Sequence, residues 1–348
     1  MQVKGNEASN GKPGYPPRMF WQSHPGKEAT MVQDWWQATF PQGRQYIQIR
    51  EASGYPVAIA YGEKGSGPPL ILVHGAASWS YAWRDLIDPL SQHFRVICFD
   101  AKGYGFSDQI RHTEIPGHQV VELARVIQAL CSEPAIVVGQ SLGALTAIAL
   151  AETYPELVAQ LVVINVPIFP KRLPTWGMQW MADIPLPLVQ WVDQLQLARP
   201  VTPLVHLLVK IARLEVMVDP TSTSPEEIYW LTYPYIEIPG AMTQFAVDMR
   251  QSAREIQALL AGQPNQITPI QEHLSAIACP TLILWGRDDR WFPLSNGEEL
   301  HARLPQSQFQ VIANCGHDAA VCCPDAITTA ILAFLRKSDP LQSTAMAS

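Results

Sequence analysis

From Tyr46 onward the chain falls into short apolar runs separated by stretches of helical spacing. Tyr46–Arg50 and Val57–Tyr61 alternate apolar and polar positions, the period of a half-buried strand, and predict an antiparallel pair. Leu70–Val73, Val96–Phe99, Ala135–Val138 and Leu161–Ile164 are apolar throughout. Such runs predict strands covered on both faces, as in a parallel sheet. Trp83–Leu90 and Val120–Leu130 carry apolar residues at helical spacing, and Leu142–Glu152 is rich in Ala and Leu. Strands and helices in alternation, joined by right-handed crossovers, predict an α/β fold with a doubly wound, mostly parallel sheet.

The alternation stops after Pro167. Residues 168–265 hold helical patterns and no strand pattern. Leu204, Leu207, Leu208, Ile211 and Leu214 follow the spacing of one helical face. Ser224-Pro225-Glu226-Glu227 reads as a cap, a proline at the first helical position and two acids in the first turn. Strand patterns return at Thr281–Trp285 and Gln308–Ile312, and a last helix covers about Pro324–Arg336. The expected organisation is an extension (1–42), a first part of the α/β core (43–167), an all-helical insertion (168–265), a second part of the core (266–338) and a flexible tail (339–348). The insertion is rich in aromatic residues: Trp176, Trp180, Trp191, Trp230, Tyr229, Tyr233, Tyr235 and Phe245. Most are expected to pack between the inserted helices and the sheet, and some to line a cleft where the two modules meet. In the extension, Phe20, Trp21, Trp35, Trp36 and Phe40 are expected to pack on the outside of the main domain, or else to form a lid or partner contact.

With 348 residues, 47% of them hydrophobic, the chain can bury a large core and a second, smaller module. A net charge of −7 offers no basic stripe for nucleic acid. The first residues are polar and rich in Pro and Gly, without the apolar segment of a secretory signal. No apolar run reaches the roughly 18 residues that a membrane-spanning helix needs. Six cysteines (Cys98, Cys131, Cys279, Cys315, Cys322, Cys323) show neither metal-ligand nor disulfide-framework spacing. The expectation is therefore a cytoplasmic protein with reduced thiols and no integral membrane segment; its oligomeric state is not legible.

Gly139-Gln140-Ser141-Leu142-Gly143 follows one apolar strand and opens the helix from Leu142. A serine at such a tight strand-to-helix turn projects its hydroxyl from the sheet edge, and the small residues on either side relieve crowding. The helix N-terminus behind it favours developing negative charge. Serine is a weak nucleophile and needs a base and an orienting acid. His317, in Asn314-Cys315-Gly316-His317, lies just past the strand Gln308–Ile312 and is the best placed of the nine histidines. His74, at another strand end, is expected to serve the backbone. The acid should follow the strand Thr281–Trp285, where Gly286-Arg287-Asp288-Asp289 offers two adjacent carboxylates. An oxyanion needs two backbone N–H donors. Leu142 is one candidate. Ala76, in His74-Gly75-Ala76-Ala77, is the other, with Ala77 next in line. The order Ser, Asp, His separates this arrangement from the other two main serine-hydrolase architectures.

These stretches, with Asp100–Asp108 and Gly286–Pro293, make the chain resemble the α/β-hydrolase superfamily over about residues 43–338. Within it the chain is similar to the capped branch that holds meta-cleavage-product C–C hydrolases, esterases, haloalkane dehalogenases and epoxide hydrolases. The resemblance implies that the acid is Asp289, three residues after Gly286, that Asp100–Asp108 is architectural, and that 168–265 is a cap. Dehalogenases and epoxide hydrolases use an aspartate nucleophile; Ser141 stands here, so their chemistry is not implied. Asp318 follows His317, where the branch often has an aromatic residue. The expected activity is hydrolysis of a carboxylic ester with an apolar acyl or alcohol group, with no cofactor and no metal. A C–C hydrolase of a meta-cleavage-type diketone acid and a non-catalytic ligand-binding member of the fold are the alternatives.

Overall fold

The computed structural model describes residues 20–21, 31–32, 34–109, 115–174, 183–219 and 223–337. Most of the extension, Trp176 and Trp180 of the insertion, and the tail from residue 338 lie outside the described residues.

Eight strands form one sheet: β1 (Gln45–Arg50), β2 (Pro56–Lys64), β3 (Pro69–Val73), β4 (Arg95–Phe99), β5 (Ala135–Gln140), β6 (Val158–Ile164), β7 (Thr281–Gly286) and β8 (Ser307–Ile312). Their order across the sheet is β8-β7-β6-β5-β3-β4-β2-β1. Strands β3 to β8 run parallel, and β1 and β2 close one edge as an antiparallel pair. The fully apolar runs β3, β5 and β7 are buried along their whole length, because helices cover both faces. β2 continues to Lys64, three residues past the alternating stretch. Gly62, Glu63 and Lys64 pair with Cys98, Ile97 and Val96 of β4, a long-range pairing that local pattern does not encode.

The helices in chain order are α1 (Trp35–Thr39), α2 (Arg84–Ser91), α3 (His118–Leu130), α4 (Leu142–Thr153), α5 (Leu186–Gln194), α6 (Thr202–Val216), α7 (Pro225–Glu237), α8 (Ala241–Leu260), α9 (Ile267–His273), α10 (Leu294–Arg303), α11 (Ala319–Cys322) and α12 (Pro324–Lys337). Between β6 and β7 the described residues contain no strand. The Ser224 signal is realised as a full capping box: its hydroxyl accepts from the Glu227 amide, and the Glu227 carboxylate accepts from the Ser224 amide.

Trp35, Trp36 and Phe40 are buried. They join an aromatic cluster with Trp79, Tyr81 and Phe106 of the core, and Trp79 in turn meets Trp230 of α7. The Trp79 indole N–H also donates to the Trp230 carbonyl at 3.0 Å. Trp35, Trp36 and Phe40 thus pack where the sheet domain meets the inserted helices.

The inserted helices depart from expectation in one respect. The apolar face of α6 is real, but it is not covered: Leu204, Leu207, Leu208, Ile211 and Leu214 are each half exposed or more. Trp191 on α5 is exposed as well. Helical spacing shows that a face exists; only the tertiary arrangement says whether another element lies on it.

A cavity of about 500 Å³ runs along α4 from Leu142 to Glu152, walled by Leu145, Ile256 and Ile270 among others. One Glu152 carboxyl oxygen is buried there without a hydrogen-bond partner. Burial pushes this carboxyl up to about 8 from its ordinary 4.5. The folded state therefore holds a proton that the unfolded state has released, so stability falls as pH rises from about 4.5 to about 8. Glu152→Gln keeps the shape and removes the titration. We expect a higher Tm than wild type at pH near 8 and a flatter Tm–pH profile, measured by differential scanning calorimetry; an unchanged profile would show that Glu152 is solvated.

Candidate active site

Parallel strands end on the same edge of a sheet, and the sequence-predicted residues follow four of these ends: β3, β5, β7 and β8. Ser141 sits between β5 and α4 with φ +53° and ψ −122°. A non-glycine residue held there is strained. Two contacts enforce the turn. A Cβ at Gly143 would lie 2.3 Å from the Val73 carbonyl oxygen, and one at Gly139 would lie 2.6 Å from the Gly143 carbonyl oxygen. Glycine at both places lets strand, turn and helix pass this closely.

His317 Nε2 lies 2.9 Å from Ser141 Oγ, and Nδ1 lies 2.8 Å from Asp289 Oδ2. His317 and Asp289 are buried. The other Asp289 oxygen accepts from the amides of Trp291 and Phe292 at 2.8 and 2.9 Å, so the carboxylate is fixed in direction. The rings of Trp291 and Phe292 pack against the imidazole, with centroids at 4.9 and 5.4 Å. Asp288 is exposed and meets the site only through its backbone, whose N–H donates to the Cys315 carbonyl. With Nδ1 protonated and donating to Asp289, Nε2 can accept the Ser141 proton.

Leu142 is the first residue of α4, where a helix amide has no acceptor within the helix. The loop after β3 runs against the serine: a side chain at Gly75 would come within 3.2 Å of the Ser141 Cβ. Ala76 follows directly. The Ala77 amide is turned to the hydroxyl of Tyr104, a buried phenol that also donates to Asp248. Burial pulls His74 down to about 4, so it is neutral. Its ring bridges the Gly75 carbonyl at 2.9 Å and the Ala101 amide at 3.0 Å, a backbone role. Asp100, pushed up to about 6 by burial, accepts from Ser80 and from the Phe106 amide and shapes its own loop.

Asn165 was not singled out by the sequence. It directly follows β6, the strand between that of Ser141 and that of Asp289, and is fully buried. Its amide donates to the carbonyls of Gly316 (3.0 Å) and His317 (2.7 Å), and its oxygen accepts from the Gly286 amide (2.9 Å). One side chain thus ties the acid loop to the histidine loop. The available signal was a lone amide closing an apolar strand, which local reasoning reads as a turn residue.

The inserted helices reach the same edge. Arg213 of α6, buried, lies 3.4 Å from Asp318, and the Asp318 amide donates to the Val216 carbonyl at 3.1 Å. Asp318 also accepts from Gln140 at 2.9 Å. A chain of polar contacts therefore joins α6 to the neighbours of both His317 and Ser141. Arg287 and Arg290 are exposed, and Arg290 donates to the Leu214 carbonyl at 2.8 Å. Among the described residues, no group of three or more His, Cys, Asp or Glu is arranged to hold a metal ion, and no helix is long and apolar enough to cross a membrane.

The eight-stranded sheet, the inserted helices and this edge define a capped hydrolase fold, and the chain belongs to the alpha/beta hydrolase fold family, whose model matches residues 68–321. It is a hydrolase of that fold. Its relatives include a 2-hydroxy-6-oxononadienedioate/2-hydroxy-6-oxononatrienedioate hydrolase of Paraburkholderia phymatum, 28% identical over 78% of this chain and 88% of that protein. Among solved structures, a meta-cleavage product hydrolase, CumD, superposes with TM-score 0.63 at 26% identity, covering 84% of this chain and 98% of the other. A thermophilic esterase from Thermogutta terrifontis superposes with TM-score 0.64 at 24% identity, over 84% and 98% of the two chains, a likeness of fold.

Proposed function

We propose that this protein is a serine hydrolase that cleaves a carboxylic ester with an apolar acyl or alcohol group through an acyl-enzyme. The observation that carries the reading is the continuous hydrogen-bonded chain Asp289–His317–Ser141, with 2.8 and 2.9 Å links at one sheet edge. Ser141 is the nucleophile. His317 takes its proton as Oγ attacks the carbonyl carbon, then gives that proton to the leaving alkoxide. In the second half His317 activates a water that attacks the acyl-serine, and Ser141 leaves with the proton. Asp289 holds the imidazole tautomer and stabilises its charged form. The amides of Leu142 and Ala76 receive the oxyanion.

The choice of ester rests on charge. A dienoate substrate brings a carboxylate that needs a cation. Arg287 and Arg290 are turned to the surface, and the one buried guanidinium near His317, Arg213, is already engaged by Asp318. Apolar walls around the imidazole, from Trp291 and Phe292, favour hydrocarbon.

One observation favours C–C hydrolysis as a second reading. Nη2 of Arg213 is buried without a partner, and a substrate carboxylate could take it. The named relatives act on dienoic acids, which agrees with this alternative. The two readings separate in one experiment: kcat/KM for aryl esters of increasing acyl length against a meta-cleavage-type dienoate, for wild type and Arg213→Gln. The ester reading expects kcat/KM to climb with chain length, by up to about 1 kcal/mol of transition-state binding per methylene, and to change little in the variant. Rapid dienoate cleavage that Arg213→Gln lowers a hundredfold or more, with negligible ester turnover, would overturn it.

A further inference from the structure

The cavity of about 500 Å³ along α4 lies apart from the triad: Ser141, Asp289 and His317 are not among its lining residues. One face of α4, from Leu142 to Glu152, forms its floor, and α3, α8 and α9 supply the other walls. Over that stretch the helix rises about 15 Å. Leu145, Ala149 and Ile256 give the lining buried hydrocarbon. Thr153, the neighbour of Glu152, is exposed, as are the lining residues Gln266 and His273, so the cavity is open to solvent at that end. Other polar groups in the walls are held within the protein. The Thr146 hydroxyl donates to the Leu142 carbonyl at 2.9 Å, Glu255 accepts from the Gln266 amide at 2.7 Å, and Asp248 accepts from Gln244 at 2.7 Å and from Tyr104. Glu152 is different. One of its carboxyl oxygens is buried with no donor, and burial is the cause of its raised pKa. A buried oxygen left without a partner costs stability, and a perturbed acid in a cavity marks a place for a ligand.

We infer that this cavity is a second ligand site that takes an organic amine, with the ammonium on Glu152 and the hydrocarbon tail along α4 toward Leu142. Charge selects the class. Glu152, Asp248 and Glu255 all line the cavity, and no Lys or Arg is among the described lining residues. An anionic ligand would find like charge and no cation. An ammonium donates to the free Glu152 oxygen, and the bond is charge-assisted on both sides. The apolar walls take up the tail, at about 25 cal/mol per Å² removed from water. Glu152 is pushed up to about 8 from its ordinary 4.5, so at pH 7 it holds a proton. As the ammonium seats, that proton leaves to solvent and the carboxylate and ammonium remain as a pair. The tail ends beside Leu142, the residue that follows Ser141, so the site and the triad share α4. The inference does not depend on which bond the enzyme cleaves.

The test is isothermal titration calorimetry of the full-length protein with n-octylammonium, at pH 7 and pH 9, in pairs of buffers that differ in ionisation heat. Tm serves as the fold control. Wild type is expected to bind and to release about one proton per ligand at pH 7, and few at pH 9, where Glu152 is already mostly ionised. Binding should be about tenfold tighter at pH 9, because the proton no longer has to be removed. Glu152→Gln keeps the shape and should bind about tenfold more weakly than wild type at pH 7 and about a hundredfold more weakly at pH 9, without the proton release. The other titratable groups that face the cavity, Asp248 and Glu255 of α8 and His273 of α9, are the same in both proteins, so the difference reads Glu152. Failure of the folded wild type to bind octylammonium would overturn the inference. So would binding by wild type without proton release at pH 7, which leaves the cavity a plain apolar void, or binding that Glu152→Gln does not change, which puts the amine elsewhere.

Discussion

Ser141→Ala is expected to lower kcat for the preferred substrate by about 10⁶ while the protein stays folded. Removing the serine from a working triad costs about as much as removing all three members, because the three act as a unit. The oxyanion donors and the substrate pocket remain, so a residual rate above that in water is expected. The fold should tolerate the change well. Ser141 adopts φ +53°, and its hydroxyl makes no helix-capping bond. Its polar partner is His317. Turnover and far-ultraviolet circular dichroism measured on the same sample decide the matter. A folded Ser141→Ala protein with near wild-type turnover would remove Ser141 from the chemistry and with it the acyl-enzyme reading.

Asp289→Asn is expected to lower kcat by about 10⁴, and Asp288→Asn by less than about tenfold. The asparagine keeps the size of the side chain and its acceptor for the Trp291 and Phe292 amides. What changes is the face toward His317. An amide NH₂ there would donate to Nδ1, force the proton onto Nε2, and leave that atom unable to accept from Ser141. Asp288 has no such contact: it is exposed, and its backbone rather than its carboxylate meets the Cys315 carbonyl. Paired measurements of kcat test both assignments at once. Inactivation by Asp288→Asn with an active Asp289→Asn would reverse the roles of the two carboxylates.

The legible part of the site was the part written in contiguous residues. Gly139–Gly143 encodes its own turn, since the two glycines and the strand and helix beside them lie within one short stretch. His317 could be chosen because it follows a recognisable strand. The acid was half legible: composition and spacing narrowed it to two neighbours and resemblance favoured Asp289, the one of the two whose carboxylate lies 2.8 Å from the imidazole. Asn165 was not legible, because its meaning depends on Gly286, Gly316 and His317, residues 121 to 152 positions away in the chain.

The fold divides in the same way. Burial on both faces leaves a local trace, the unbroken apolar runs of β3, β5 and β7, so the strands and their alternation with helices were determined by the sequence alone. The helical spacing of α6 was equally local. Whether Leu204, Leu207, Leu208, Ile211 and Leu214 face protein or surroundings was not, because an amphipathic period is the same whichever side packs inward. That was decided only when Asp193 and Arg213 took the inner side, where Asp193 meets the start of α8 and Arg213 meets Asp318 beside His317. A buried charge costs several kcal/mol without such partners, and those partners exist only in the assembled tertiary structure.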